Sequence, residues 1–212
     1  MSSRPRLRGL SHELAFFVSL PPGVVLVLET NTHTGRIAAI AYAAAVAFMF
    51  GSSGLYHRVT WSRTWRLRMA RVDHAGIYLM IAGSYTPIGL LVLHGNWRLV
   101  VLSIVWGGAA AAILLKACWV QAPKWLAAAI GIALGWVAVA ILPQVARRVG
   151  LTGCLLLVAG GLFYTAGALV YAFRRPDPVP TVFGYHELFH ALVVVAVALQ
   201  YGGIAFYVLR GH

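Results

Sequence analysis

Long apolar runs alternate with short basic connectors along the chain. Seven runs reach the length of a membrane crossing: 12–31, 37–57, 72–93, 97–117, 123–142, 151–173 and 185–209. A helix needs about 20 mainly apolar residues to cross the hydrocarbon core. Backbone in lipid must satisfy its hydrogen bonds internally, so runs of this length predict helices. The first run contains Pro21-Pro22-Gly23 and the third contains Pro87, and a kink is expected at each. No polar stretch is long enough for a separate soluble domain. The prediction is an all-α integral membrane protein, a single domain over 1–212 with seven transmembrane helices.

Composition agrees with that pattern. Hydrophobic residues make up 60% of the chain and charged residues 10%, where a soluble domain carries about 25% charged. The positions of the cations then predict orientation. One membrane side collects Arg4, Arg6, Arg8, the five Arg of the 58–71 connector, Lys116, Lys124, Arg174 and Arg175. The other side holds Arg36, Arg98, Arg147, Arg148 and Arg210. By the positive-inside rule the N-terminus is cytoplasmic and the C-terminus outside, in a multi-pass protein of the cell inner (plasma) membrane. The net charge of +12 therefore reads as contact with anionic lipid headgroups, with no nucleic acid partner. The connector RVTWSRTWRLRMAR interleaves Arg with Trp61 and Trp65 and is expected to lie along the headgroup layer. Cys118 and Cys154 fall at opposite faces, which argues against a disulfide. The basic N-terminus lacks a small-residue cleavage site and reads as preceding a retained first span.

Against this apolar background the polar residues are informative. Ser53 and His57 end the second run, Asp73 and His74 open the third, His186, Glu187 and His190 open the seventh, and His12 and Glu13 open the first. All these ends fall on the cytoplasmic side. Ionisable groups in a membrane are costly and face the bundle interior, which makes them candidates for function. His186 and His190 are i, i+4 and share one helix face, as do Ser53 and His57. Three imidazoles, from His57, His186 and His190, would make a catalytic-type zinc shell with a fourth position open to water. Asp73 could then take a proton from that water, which a three-His zinc site makes acidic near neutral pH. His33, His94, His212 and His12 are expected as interfacial anchors, His74 as a supporting residue and Glu13 as a buried structural one.

The string His186-Glu187-Leu188-Phe189-His190 is also a formal H-E-x-x-H, the zinc-protease helix motif. The extended protease motif would place Gly and a third His where Val193 and Ala196 stand, and no Asp or Glu follows Glu187. Protease chemistry is therefore set aside. Glu187 is expected to support a ligand or to pair with an Arg of the 58–71 connector.

The strings GSSGLYH (51–57), VDHAGIYLMIAGSYTP (72–87) and GYHELFH (184–190) resemble the three signature blocks of the hemolysin III family. That family is related to progestin and adipoQ receptors and to alkaline ceramidases. The resemblance implies a seven-helix bundle with Zn2+ at its cytoplasmic end, held by His57, His186 and His190 beside Ser53 and Asp73. It implies hydrolysis of a membrane lipid amide or ester, Asp73 acting as general base and Ser53 helping to stabilise the oxyanion, with links to membrane homeostasis or cytolysis. Two alternatives use the same residues or the family name: a lipid or membrane-state sensor with structural zinc, and a cytolytic pore. No run carries a polar stripe through the full membrane depth, which disfavours the pore. Substrate and oligomeric state stay open at this level.

Overall fold

A computed structural model describes residues 5–212. Among these the chain is helical, with one isolated bridge between Val179 and Phe183. Helix α1 spans Leu10–Leu28, α2 His33–Arg58, α3 Arg63–Leu91 and α4 Asn96–Cys118. Helix α5, Lys124–Gly135, runs through a 3-10 segment, Trp136–Ile141, into α6, Leu142–Phe173. Helix α7, Tyr185–Gly203, ends in a π-helical turn, Ile204–Val208.

Five helical stretches are long and apolar enough to cross a membrane: Leu10–Leu28, His33–Arg58, Asn96–Cys118, Lys124–Phe173 and Tyr185–Val208. Their outer faces carry large apolar side chains such as Val18, Leu28, Leu99, Leu114 and Leu151, each more than 60% exposed. Such a surface suits lipid and would be a liability in water. Helix α3 is less apolar for a reason the fold makes plain. Every residue from Ala82 to Gly89 is buried, so this half of α3 is surrounded by its neighbours and Ser84, Tyr85 and Thr86 face protein. Tyr85 Oη donates to the Gly135 carbonyl at 2.5 Å and accepts from the Ala138 N–H at 2.6 Å. It thereby serves backbone groups where α5 tightens into the 3-10 segment.

Close helix contact depends on small residues. A Cβ on Gly83 would stand 2.3 Å from Ala45 Cβ, and one on Gly76 would stand 3.0 Å from Ser52 Oγ. These two glycines, seven apart on α3, bring its backbone against α2. A Cβ on Gly54 would approach the Glu13 backbone to 3.2 Å, which seats α1 on the end of α2.

Helix α1 stays helical through Pro21 and Pro22, and α3 through Pro87. Two expectations change. Most of the 58–71 connector is helical and exposed: Ser62 caps α3 through the Trp65 N–H, and Arg63–Arg71 form its first turns. Arg, Leu and Met favour helix, so nothing stops it there. Asp73 therefore lies in the third turn of α3 and not the first. The long run of helix from α5 into α6 breaks at Gly150, whose φ of 72° and ψ of 176° are open to glycine and costly for other residues.

Candidate metal centre

The end of α2, the third turn of α3 and the start of α7 meet at one end of the fold. His57, in the last turn of α2, is partly buried, and His186 and His190, on successive turns of α7, are buried. One ring nitrogen from each of the three lies within 4.8 Å of the others. His186 Nε2 is 3.1 Å from His57 Nε2. Nitrogens bound tetrahedrally to zinc at 2.0–2.1 Å stand about 3.4 Å apart, so the three imidazoles fit one such ion after small shifts. The Nδ1 atoms of His186 and His190 are buried with no hydrogen-bond partner among the described residues.

Asp73 reaches the same point from α3. Its Oδ2 is 4.0 Å from His57 Nε2, and its carboxylate is hydrogen-bonded by the Ser53 side chain from α2. Ser53 is one turn deeper than His57 on α2, as the i, i+4 spacing predicts. The five residues singled out from the sequence are therefore neighbours, although they come from three helices.

A sixth residue was missed. His12, expected as an interfacial anchor, is 2% exposed. Its ring stacks on that of His190, with centroids 3.8 Å apart and planes within 6° of parallel. Neither His12 ring nitrogen has a hydrogen-bond partner among the described residues. The stack fixes the plane of the His190 ring from behind. Parallel rings cannot both direct a nitrogen at one ion from this separation, so if His190 held a metal, His12 could orient that ring but not bind the ion itself. The sequence signal was weak: Gly9, three residues before His12, adopts φ 78°. A Cβ there would stand 2.4 Å from His57 Cβ, so the glycine lets the start of α1 close over the site.

Glu187 also departs from expectation. Its Oε2 accepts the Gly184 N–H at 2.9 Å, capping α7. Its Oε1 is 2.7 Å from Arg8 Nε, an ion pair off the line of a hydrogen bond. The partner is thus the N-terminal segment and not the 58–71 stretch. That segment is held by Arg6 and Leu7 N–H groups donating to the Thr181 and Val182 carbonyls at 3.1 and 3.2 Å. Asp177 adds a second cap, accepting the Tyr185 N–H at 2.7 Å. Glu13 is half-buried, its side chain 37% exposed, and pairs with Arg58 at 2.8 Å, so it is not the buried residue expected. Sitting beside open connector residues, it finds a cation at the surface.

Below the histidines a cavity of about 670 Å³ runs into the fold. Its walls carry Met80, Ile81 and Val193 on the way in and Leu157 deeper, level with Gly203, and it extends to Ile88 on α3 and Ile204 after α7. Asp73 to Ile88 is fifteen residues of helix, about 22 Å of depth at 1.5 Å per residue. One leaflet of hydrocarbon is about 15 Å thick, half the bilayer core. Asp73 is the only carboxylate on the cavity wall among the described residues.

Apolar outer faces, an enclosed polar helix and a histidine cluster over an apolar cavity define a multi-pass helical membrane protein with a potential metal site. A profile of the haemolysin-III related family matches residues 2–201, and the chain belongs to that family. It is 29% identical over 204 residues to a protein named Hemolysin-3 from Bacillus cereus, covering 94% of this chain and 90% of that one. It is 26% identical over 205 residues to a Hemolysin-3 homolog from Bacillus subtilis (strain 168), covering 95% and 92% respectively.

Proposed function

We propose that this protein is a zinc-dependent hydrolase of a membrane lipid amide or ester. The observation that carries the reading is the position of the His57, His186 and His190 cluster, with Asp73 beside it, over a deep apolar cavity. In this reading the three imidazoles hold one Zn2+. When bound, such an ion acts as a Lewis acid and lowers the pKa of water from 15.7 to about 7.

The residues of the chain have distinct roles. Asp73 accepts the proton of the attacking water, acting across the 4.0 Å that separates its carboxylate from His57 Nε2. Ser53, hydrogen-bonded to Asp73, holds the carboxylate in position and offers its hydroxyl to the developing oxyanion. The cavity receives the acyl chain, with the scissile bond held at the histidines. His12 keeps the His190 ring in plane, and Glu187 caps the helix that presents two ligands. Glu187 is not the base, because both its oxygens are engaged by Gly184 and Arg8.

The bilayer arrangement belongs to the same proposal. Seven spans cross the inner membrane as one domain, with α5 and α6 crossing separately through the break at Gly150. The N-terminus and the metal site are cytoplasmic, on the side that collects most of the Lys and Arg.

Purified protein reconstituted with lipid tests the chemistry. The expected result is one zinc per chain in wild type and in Asp73→Asn, with turnover in wild type alone. General acid–base catalysis contributes about 10²–10⁴-fold, so loss on that scale is the predicted effect of Asp73→Asn. If Asp73→Asn and wild type hydrolyse lipid equally fast, the assignment of the base is wrong.

A further inference from the structure

The mouth of the cavity is strongly cationic. Arg8, Arg66, Lys116, Lys124 and Arg174 all line it, against the single carboxylate of Asp73. The positive-inside rule accounts for basic residues at this face, but it places them in solvent, as with Arg63 and Arg68, which are exposed and stand off the cavity wall.

Two lysines do not follow that pattern. Lys116, at the end of α4, is 3% exposed, and its Nζ has one recorded acceptor, the Ala122 carbonyl at 3.2 Å. An ammonium has three donors, so this covered group keeps donors for another partner. Lys124, at the start of α5, is 2.6 Å from Tyr185 Oη and sits over the Tyr171 and Tyr185 rings, 4.6 and 4.7 Å from their centroids. That cage fixes its head one residue along from His186. His74, next to Asp73 in sequence, lines the same cavity as both lysines. Its Nδ1 is buried with no hydrogen-bond partner among the described residues, and both ammonium charges act on its ring. Covered cations without a carboxylate partner are costly unless an anion completes them.

We propose that Lys116, Lys124 and His74 form an anion-binding subsite, and that the lipid accepted by this cavity carries an anionic headgroup. This deepens the hydrolase reading by naming its substrate class. The acyl chain enters the apolar cavity, the scissile bond sits at the three histidines, and a phosphate or other anion sits against the lysines. A neutral lipid would leave both ammonium groups without a counter-charge.

The test measures binding to the full-length protein in phosphatidylcholine nanodiscs, zinc-loaded and metal-free. The probes are hexadecyl phosphate, hexadecanol and inorganic phosphate, and the variants are Lys116→Gln, Lys124→Gln and, as a control, Arg68→Gln. Hexadecyl phosphate should bind at least about ten-fold tighter than hexadecanol in both metal states, since a hydrogen bond to a charged group is worth a factor of that order. Each lysine variant should lose about that factor for hexadecyl phosphate and leave hexadecanol unchanged, while Arg68→Gln changes neither. Free phosphate should bind far more weakly than hexadecyl phosphate. Equal affinity for the phosphate and the alcohol, or an unchanged ratio in both lysine variants, would overturn the subsite. Inorganic phosphate binding as tightly as hexadecyl phosphate would overturn the lipid assignment. Should Lys116→Gln not fold, Lys124→Gln and the wild-type comparison decide the matter. None of the probes has an acyl bond, so the outcome is independent of turnover. Anion preference without hydrolysis would count against the hydrolase alone, and hydrolysis without anion preference against the subsite alone.

Discussion

His190 carries two relationships, one to the metal set and one to His12, and they make separable predictions. Replacing His57 with Ala removes one of three ligands, so zinc measured by mass spectrometry on the purified variant should fall from one per chain to near none. Replacing His12 with Ala removes the stack behind His190. Aromatic pairs contribute about 0.5–1.5 kcal/mol, so zinc affinity should drop by up to about ten-fold with the same stoichiometry at saturation. His12→Phe, which keeps the stack, should restore the affinity; if it does not, His12 acts through a ring nitrogen and the positioning role fails. Glu187→Gln retains the acceptor for Gly184 and loses the charge facing Arg8, so thermal stability should fall modestly while turnover persists. The His186/His190 and Ser53/His57 pairs were legible from the sequence because i, i+4 spacing fixes a shared helix face whatever the tertiary fold. His12 and the Arg8 partner of Glu187 were not, because both depend on the N-terminal segment pairing with Thr181 and Val182, a contact without periodic signature.

At the scale of elements, Gly76 and Gly83 set the separation of α2 and α3, and with it the approach of Ser53 to Asp73. Gly83→Ala puts a methyl group where Ala45 Cβ already stands, 2.3 Å away, and should destabilise by about 1–3 kcal/mol through overpacking. Gly107→Ala on α4 meets nothing within 4 Å and should be neutral or mildly stabilising, since Ala favours helix. Thermal unfolding in one detergent compares the two; equal melting temperatures would mean that α2 and α3 do not depend on that contact. The apolar runs revealed where helices lie because their length is imposed by the bilayer. Their ends were less legible. The charge of Arg63–Arg71 suggests a connector, yet charge at an exposed helix end costs little, and α3 starts among these residues. The prolines of α1 and α3 mark absent N–H donors, but whether a helix stops there depends on neighbours that the sequence does not order in space.

For the whole molecule, the cavity is the feature least visible beforehand, since its walls come from residues distant in sequence that share no motif. In the proposed reading it gives the histidine cluster a substrate class: an acyl chain would lie along some 22 Å of mainly apolar wall, with its polar end at the histidines and lysines. The most direct test of that account is fatty-acid release from vesicles of phosphatidylglycerol, phosphatidylethanolamine and ceramide by the purified, reconstituted protein. Release should occur with zinc, cease on chelation, return when zinc is restored, and be absent from Asp73→Asn despite its full zinc content. Zinc bound at one per chain with no release from any of these lipids, or release indifferent to chelation, would contradict it.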